Sequence, residues 1–337
     1  MRAVRLHAAG DLRVERIAPP VRPSDHEVTL AVTMAGICGS DLHNYRTGAW
    51  ISRAPSVAGH EFTGVVTAAG PGVEHVAIGQ RVIVYSRHTC GICPACRDGV
   101  GQVCADLGFL GEVIDGGFAE AVTLPGRNVL PAPDVPDRHL AMAEPLAVAL
   151  HALGLAAVPE GAGIVITGCG PIGALSALLA RRMGHRVAVL DRNATRAAHV
   201  AAHTGAEVVD LDSLSGRRVR HAIETTGNPG VIRGLLGAIA GASRITLVGI
   251  GAPAAVIDPV HLVEREIALQ GSRAFRTQEL ARIAGMLPAL SAELDPFIAA
   301  EIALEDVPAT FAEMTARGSD GIKTLIRCAP PGATTAG

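Results

Sequence analysis

The sequence predicts an α/β protein in two parts: a β-rich segment over residues 1–150, and a doubly wound parallel sheet over residues 151–289. The chain is expected to return to the first part from about residue 290 to 337. Three observations carry this reading. The 337 residues are room for about two domains. The hydrophobic period changes near residue 150, from short strands to strand–helix alternation. A glycine cluster opens a helix directly after an apolar strand, at Gly168-Cys169-Gly170-Pro171-Ile172-Gly173.

In the first part, strands are predicted at Glu27–Thr33, Glu61–Ala68, Arg81–Tyr85 and Phe118–Thr123, punctuated by Gly and Pro. That pattern suits a small barrel or folded sheet. In the second part the apolar strand Ile164–Thr167 leads into helix Ile172–Met183 and strand Arg186–Leu190. Helix His199–Thr204 and strands Glu207–Val209 and Ala222–Glu224 follow, then helix Val231–Ala240 and strand Arg244–Val248. No low-complexity tract is present except the small-residue tail after Cys328.

Composition excludes several classes. With 49% hydrophobic and 18% charged residues, the chain has ample core material and does not read as disordered. A net charge of −3 offers no basic field to a nucleic-acid backbone. The most apolar stretch, around Ala141–Val158, is broken by Glu144, Pro145 and His151 and is not expected to span a membrane. The N-terminal residues contain no apolar run of signal-peptide length, so a cytoplasmic location is expected. Lys323 is the only lysine, which excludes a Schiff-base mechanism unless Lys323 is itself the nucleophile.

Four of the seven cysteines, Cys90, Cys93, Cys96 and Cys104, have the spacing C-x2-C-x2-C-x7-C with glycines between. One loop can fold such thiolates around a tetrahedral ion, and structural zinc is favoured over an iron–sulfur cluster or an accidental thiol-rich loop. A closed four-sulfur site staples a loop and does no chemistry. Cys169 and Cys328 read as small buried hydrophobes.

The glycine cluster fits a dinucleotide site. Gly168 allows the tight turn, Gly170 lets the backbone approach a pyrophosphate, and Gly173 lets the helix pack on the strand. Pro171 and Ile172 begin the helix, whose N-terminal N–H groups and dipole suit phosphates. Asp191, 18 residues after Gly173, is placed to accept the ribose hydroxyls of adenosine. An acid there favours NAD over NADP, against which Arg192 and Arg196 stand nearby.

Cys38 in AGICGSDLH, His60 and Glu61 in AGHEFTG, and Glu144 in AEPLA supply the thiolate, imidazole and carboxylates that an open, catalytic zinc needs. Spacing alone does not bring these segments together. In combination, however, GICGSDLH, GHEFTG, the four-cysteine lobe, EPLAV, the glycine fingerprint, TTGNP and VGIG occur in one order along nearly the whole chain. In this the sequence resembles the zinc-dependent medium-chain alcohol dehydrogenase family, and within it the sorbitol/L-idonate/threonine dehydrogenase branch.

The resemblance implies a GroES-like catalytic domain, completed by C-terminal residues, and a Rossmann domain. Carried over by motif, it makes Cys38 and His60 zinc ligands and matches Glu61 and Glu144 to the two acids of the polyol branch, either of which can be the direct ligand. Ser40 matches the hydroxyl that bonds the substrate alcohol. His43 matches the end of a proton relay, and Asp41 the support of the zinc histidine. Thr225–Gly227 and Val248, Gly249, Ile250 and Gly251 match strand-end cofactor contacts, with Arg273 or Arg276 as further candidates. The implied reaction takes the proton of a zinc-bound secondary alcohol through Ser40 and its hydride to NAD, giving a ketone.

The segment between His43 and Gly59 is shorter than in sorbitol-type enzymes and holds Tyr45 and Trp50, which leaves open whether the substrate is a polyol, a sugar acid, a cyclitol or aminocyclitol, or threonine. A small-molecule partner and a homodimer or homotetramer are implied, with no nucleic acid and no membrane. Two other classes compete: a non-catalytic dinucleotide-binding member, which should lack part of the ligand set, and a zinc-free reductase of activated double bonds, which should lack the cysteine lobe and the GHE ligands. All of these are present.

Overall fold

The computed structural model describes residues 1–251, 253–318 and 320–328. The small-residue tail after Cys328 lies outside the described residues. The chain divides into two compact units. Among the described residues, the first holds 1–144, 276–318 and 323–328, and the second holds 145–275 and 320–322.

The first unit is built on a seven-stranded sheet. Its order is Val129–Pro131, Arg81–Val84, Glu61–Ala69, Glu27–Gly36, Lys323–Arg327, Ile298–Ala303, with Ala121–Pro125 also pairing along Glu27–Gly36. Strand Glu27–Gly36 is the hub, and its register sets Gly36 opposite both Glu61 and Leu325. A three-stranded sheet adds Asp11–Arg16, Arg2–Ala8 and Ser56–Val57. Alternating residues from these strands close one core around Leu30, Val32, Phe62, Val66, Phe118 and Ile326. Phe311, on the helix Val307–Arg317, enters that core edge-on to Phe118 at 6.2 Å and to Tyr45 at 5.7 Å.

The predicted strand Phe118–Thr123 begins later, at Ala121. Phe118 and Ala119 bond elsewhere: Phe118 N–H donates to Ala58 carbonyl, Phe118 carbonyl accepts from Val4, and Ala119 bridges Ala3. These tertiary partners outrank the local alternation that suggested an earlier start.

The second unit carries six parallel strands. Numbered along the chain, Gly163–Thr167, Arg186–Leu190, Glu207–Val208, His221–Glu224, Arg244–Leu247 and Ala268–Gly271 lie in the order 3-2-1-4-5-6. This is the doubly wound order, and its reversal between the first and fourth strands creates a crevice at their carboxyl ends. Helix Ala194–Thr204 starts before the periodic residues do, because Asn193 caps it by accepting from Arg196 N–H. The apolar stretch Asp137–Ala156 folds as the helices Asp137–Leu140 and Ala143–Ala156 and is mostly buried inside the protein.

Candidate metal and dinucleotide sites

Strand Glu27–Gly36 ends at the short helix Gly39–Thr47, and Cys38 occupies that helix's N-cap. Asp41, in the first turn, closes the cap by accepting from Cys38 N–H through Oδ2 at 2.9 Å. Its other oxygen, Oδ1, lies 3.2 Å from His60 Nδ1, so the ring presents Nε2 inward. Cys38 Sγ, a His60 nitrogen and a Glu61 oxygen all come within 4.8 Å of one another. His60 and Glu61 are buried, and Cys38 is half-buried. A soft thiolate, an imidazole and one carboxylate around a common point fit zinc with a position left open.

The charge of these groups is finely opposed. Burial disfavours a charged His60, but the Asp41 carboxylate and the Cys38 sulfur outweigh it and hold its pKa well above the usual range. Burial pushes the Glu61 carboxyl up; Lys323 pulls it down, while Glu144 adds to the upward shift.

Glu144, at the start of helix Ala143–Ala156, lies outside that trio. Its Oε1 accepts from Ser86 Oγ at 2.8 Å and from Arg87 at 3.2 Å. Arg87 is 4% exposed and stacks its guanidinium 4.0 Å above the Phe109 ring. Burial lowers the Arg87 pKa against the pull of Glu144. Ser40 Oγ lies 3.5 Å from His60 Nε2, while the His43 ring packs on the Trp50 indole at 4.6 Å between centroids.

Sequence reasoning missed Ser86 and Arg87, and it saw Lys323 only as a solitary lysine. The Lys323 amine donates to Ile37 carbonyl at 2.9 Å and to Glu61 Oε2, deep in the first unit. Burial lowers its pKa, but Glu61 and Cys38 outweigh that and raise it. Its place against Glu61 gives no support to a nucleophilic role.

The four cysteines of the lobe also converge. Their ligand atoms lie within 4.8 Å of one another, with Cys104 Sγ 3.5 Å from Cys90 Sγ and 3.9 Å from Cys93 Sγ. Backbone N–H groups of Ala105 and Cys96 draw the Cys93 thiol down to about 6, whereas burial and the neighbouring cysteines push the Cys96 thiol up to about 12, as expected where four sulfurs crowd together. Cys169 and Cys328, by contrast, are fully buried, and burial pushes the Cys169 thiol up to about 12.

In the second unit the glycine cluster turns between the first strand and helix Pro171–Arg182. Gly168 has φ +90, and a Cβ at Gly173 would fall 1.7 Å from Gly168 carbonyl oxygen, so that helix approaches the strand only with glycine there. A Cβ at Gly170 would meet no atom within 4 Å, which leaves open space beside the helix's free first-turn N–H groups, as a pyrophosphate needs. Asp191 stands beside the cluster. It accepts from Cys169 N–H at 2.6 Å, from Asn193 N–H at 2.8 Å and from Arg196 at 3.0 Å. Burial works against its charge, but Arg196 and the two N–H groups prevail and lower its pKa. Thr225 Oγ1 donates to Thr167 carbonyl, and buried Glu224 accepts from Thr226 and Gly227 N–H, shaping the next strand end. Arg192, Arg273 and Arg276 are exposed, and Ile250 is 72% exposed.

Profiles described as "Alcohol dehydrogenase GroES-like domain" and "Zinc-binding dehydrogenase" match residues 24–134 and 171–291. A 2-dehydro-3-deoxy-L-galactonate 5-dehydrogenase from Pseudoalteromonas atlantica is 31% identical over 321 residues, covering 91% of this chain and 93% of that relative. The chain belongs to the zinc-dependent medium-chain alcohol dehydrogenase family. It is thus a dehydrogenase acting on CH–OH groups, with GroES-like and Rossmann parts as the sequence predicts. Within the family, an L-threonine 3-dehydrogenase from Anaeromyxobacter sp. is 35% identical over 272 residues, 75% of this chain and 78% of that one. The solved galactitol-1-phosphate dehydrogenase of Escherichia coli matches with a TM-score of 0.90 at 27% identity, over 97% of this chain and 100% of that one.

Proposed function

We propose that this alcohol dehydrogenase oxidises a secondary alcohol of a polyol, sugar acid or related hydroxyl-rich substrate to the ketone, with NAD as hydride acceptor. The observation that carries the reading is the convergence of Cys38, His60 and Glu61. We read the first unit as the catalytic part and the second as the cofactor part.

Cys38, His60 and Glu61 would hold a zinc ion, with Glu144 as the second acid of the site. Bound zinc supplies a Lewis acid that makes the substrate hydroxyl acidic near neutral pH. Asp41 fixes the His60 ring and, through Cys38 N–H, the turn that carries the thiolate. Ser40, which lies beside His60, would take the hydroxyl proton and His43 would pass it on. Cys90, Cys93, Cys96 and Cys104 would hold a second, structural zinc.

For the cofactor, Gly168, Gly170, Pro171, Ile172 and Gly173 are read as the pyrophosphate site. Asp191 repels a 2′-phosphate and supports NAD, and Arg196 is tied to that acid. Thr225, Val248, Gly249 and Ile250 are read as further contacts, with Arg192 beside Asp191. The relatives are named as dehydrogenases of 2-dehydro-3-deoxy-L-galactonate, L-threonine and galactitol 1-phosphate, which supports a polyol or sugar-acid substrate, with a cyclitol, aminocyclitol or threonine as the alternative. Edge strand Ala268–Gly271 and the exposed Val256, Val260 and Val263 support a homo-oligomer. We read the protein as cytoplasmic.

The test is absorbance at the NADH band, using zinc-loaded protein, NAD and a panel of sorbitol, xylitol, L-idonate, myo-inositol, an aminocyclitol, threonine and 2,3-butanediol. Reduction with one class, lost on chelation, is expected. Silence across the panel with NAD and zinc bound would instead favour the non-catalytic reading.

A further inference from the structure

Lys323 is the only lysine in a chain whose Lys and Arg total 29, and its side chain is 1% exposed. Its amine has two acceptors, Ile37 carbonyl and Glu61 Oε2. Gly36 makes room for the pair: a Cβ there would lie 2.6 Å from Glu61 Oε2 and 2.7 Å from Lys323 Cε. The strand register sets Gly36 directly across from Glu61. Glu144 is restrained in the same manner, by Arg87 and Ser86 on its Oε1 alone. Each acid of the site is thus tied at one oxygen by a buried cation.

We propose that Lys323 is a positioning residue that holds Glu61 Oε2 away from the metal, so that Glu61 ligates through a single oxygen and a coordination position stays open for substrate. A free carboxylate beside zinc can close on it with both oxygens, and an open position is what separates catalytic from structural zinc. The lysine also places a positive charge next to a dication, in surroundings that screen it little. Lys323 therefore weakens the metal's hold in exchange for substrate access. Ordinary outer-shell support has the opposite sign, since its loss weakens binding by roughly 10–100-fold.

The inference rests on the reading of Cys38, His60 and Glu61 as a metal site, and the test separates the two. The protein is loaded with cobalt, with Cys38→Ser as the blank that keeps only the four-cysteine lobe occupied. Metal affinity is read by chelator competition and coordination number by the visible ligand-field bands. In Lys323→Met, affinity is expected to rise by roughly tenfold, the size typical of outer-shell changes, with weaker bands per cobalt as coordination expands. Lys323→Arg, which restores the cation, is expected to move both back towards the parent. If Lys323→Met does not fold, Lys323→Gln takes its place with the same expected signs. Affinity that falls or stays level, with unchanged bands, overturns the inference and leaves Lys323 as a structural ion pair. A parent protein showing no cobalt beyond the Cys38→Ser blank overturns the metal-site reading itself.

Discussion

Two ligand clusters in the first unit invite comparison. The four-cysteine lobe draws its ligands from one loop, Cys90 to Cys104, and among its members only Cys104 is buried. The Cys38–His60–Glu61 cluster draws on two strand ends and a helix cap, is mostly buried, and is ringed by Asp41, Lys323, Glu144 and Arg87. The first would satisfy a metal with sulfur alone. The second mixes donors, keeps acids in reserve and restrains them with cations. Closure gives stability, and incompleteness gives chemistry.

That contrast can be broken by substitution. Cys38→Ser is expected to lower turnover by roughly a thousandfold or more, the several kcal/mol that a Lewis acid supplies, with NAD affinity unchanged by fluorescence titration. Retained turnover would show that the metal lies elsewhere.

Cys93→Ser should act on stability instead. Loss of a staple costing about 2 kcal/mol lowers the melting temperature by roughly 4–8 °C in a unit of this size. An unaltered melting temperature would show that the lobe staples nothing.

In the second unit, Asp191→Ala is expected to weaken NAD by about tenfold, as lost hydrogen bonds to a charged group do, and to raise relative use of NADP. An unchanged ratio of the two dissociation constants would move the ribose contact to another residue.

The smallest effect is expected at Asp295, half-exposed beside Arg138 and His139. Its carboxyl, held down to about 2 by those partners, contributes stability that is complete above the ordinary aspartate range and is lost as pH falls towards 2. Asp295→Asn should therefore cost under about 1 kcal/mol after solvent screening, and the difference from the parent should vanish in acid denaturation near that pH.

The same contrast governs what the sequence reveals. The cysteine lobe was legible because its ligands and their spacing are local, and the glycine fingerprint because strand, turn and helix are contiguous. The short, polar helix Gly39–Thr47 gave no periodic signal, although it carries Ser40, Asp41 and His43. Arg87 and Lys323 were illegible because their partners lie 57 and 262 residues away. Only composition pointed to Lys323, as the one lysine in a chain that uses arginine everywhere else; that it packs against Gly36 beside Glu61 emerges only in the fold.

The most direct measurement is zinc content per chain by elemental analysis, for the parent, Cys38→Ser and Cys93→Ser, alongside hydride transfer. The account predicts two zinc ions in the parent and one in each variant, with Cys38→Ser alone losing the active-site ion. A parent that turns over with a single zinc, or a Cys38→Ser protein that keeps both, would contradict it.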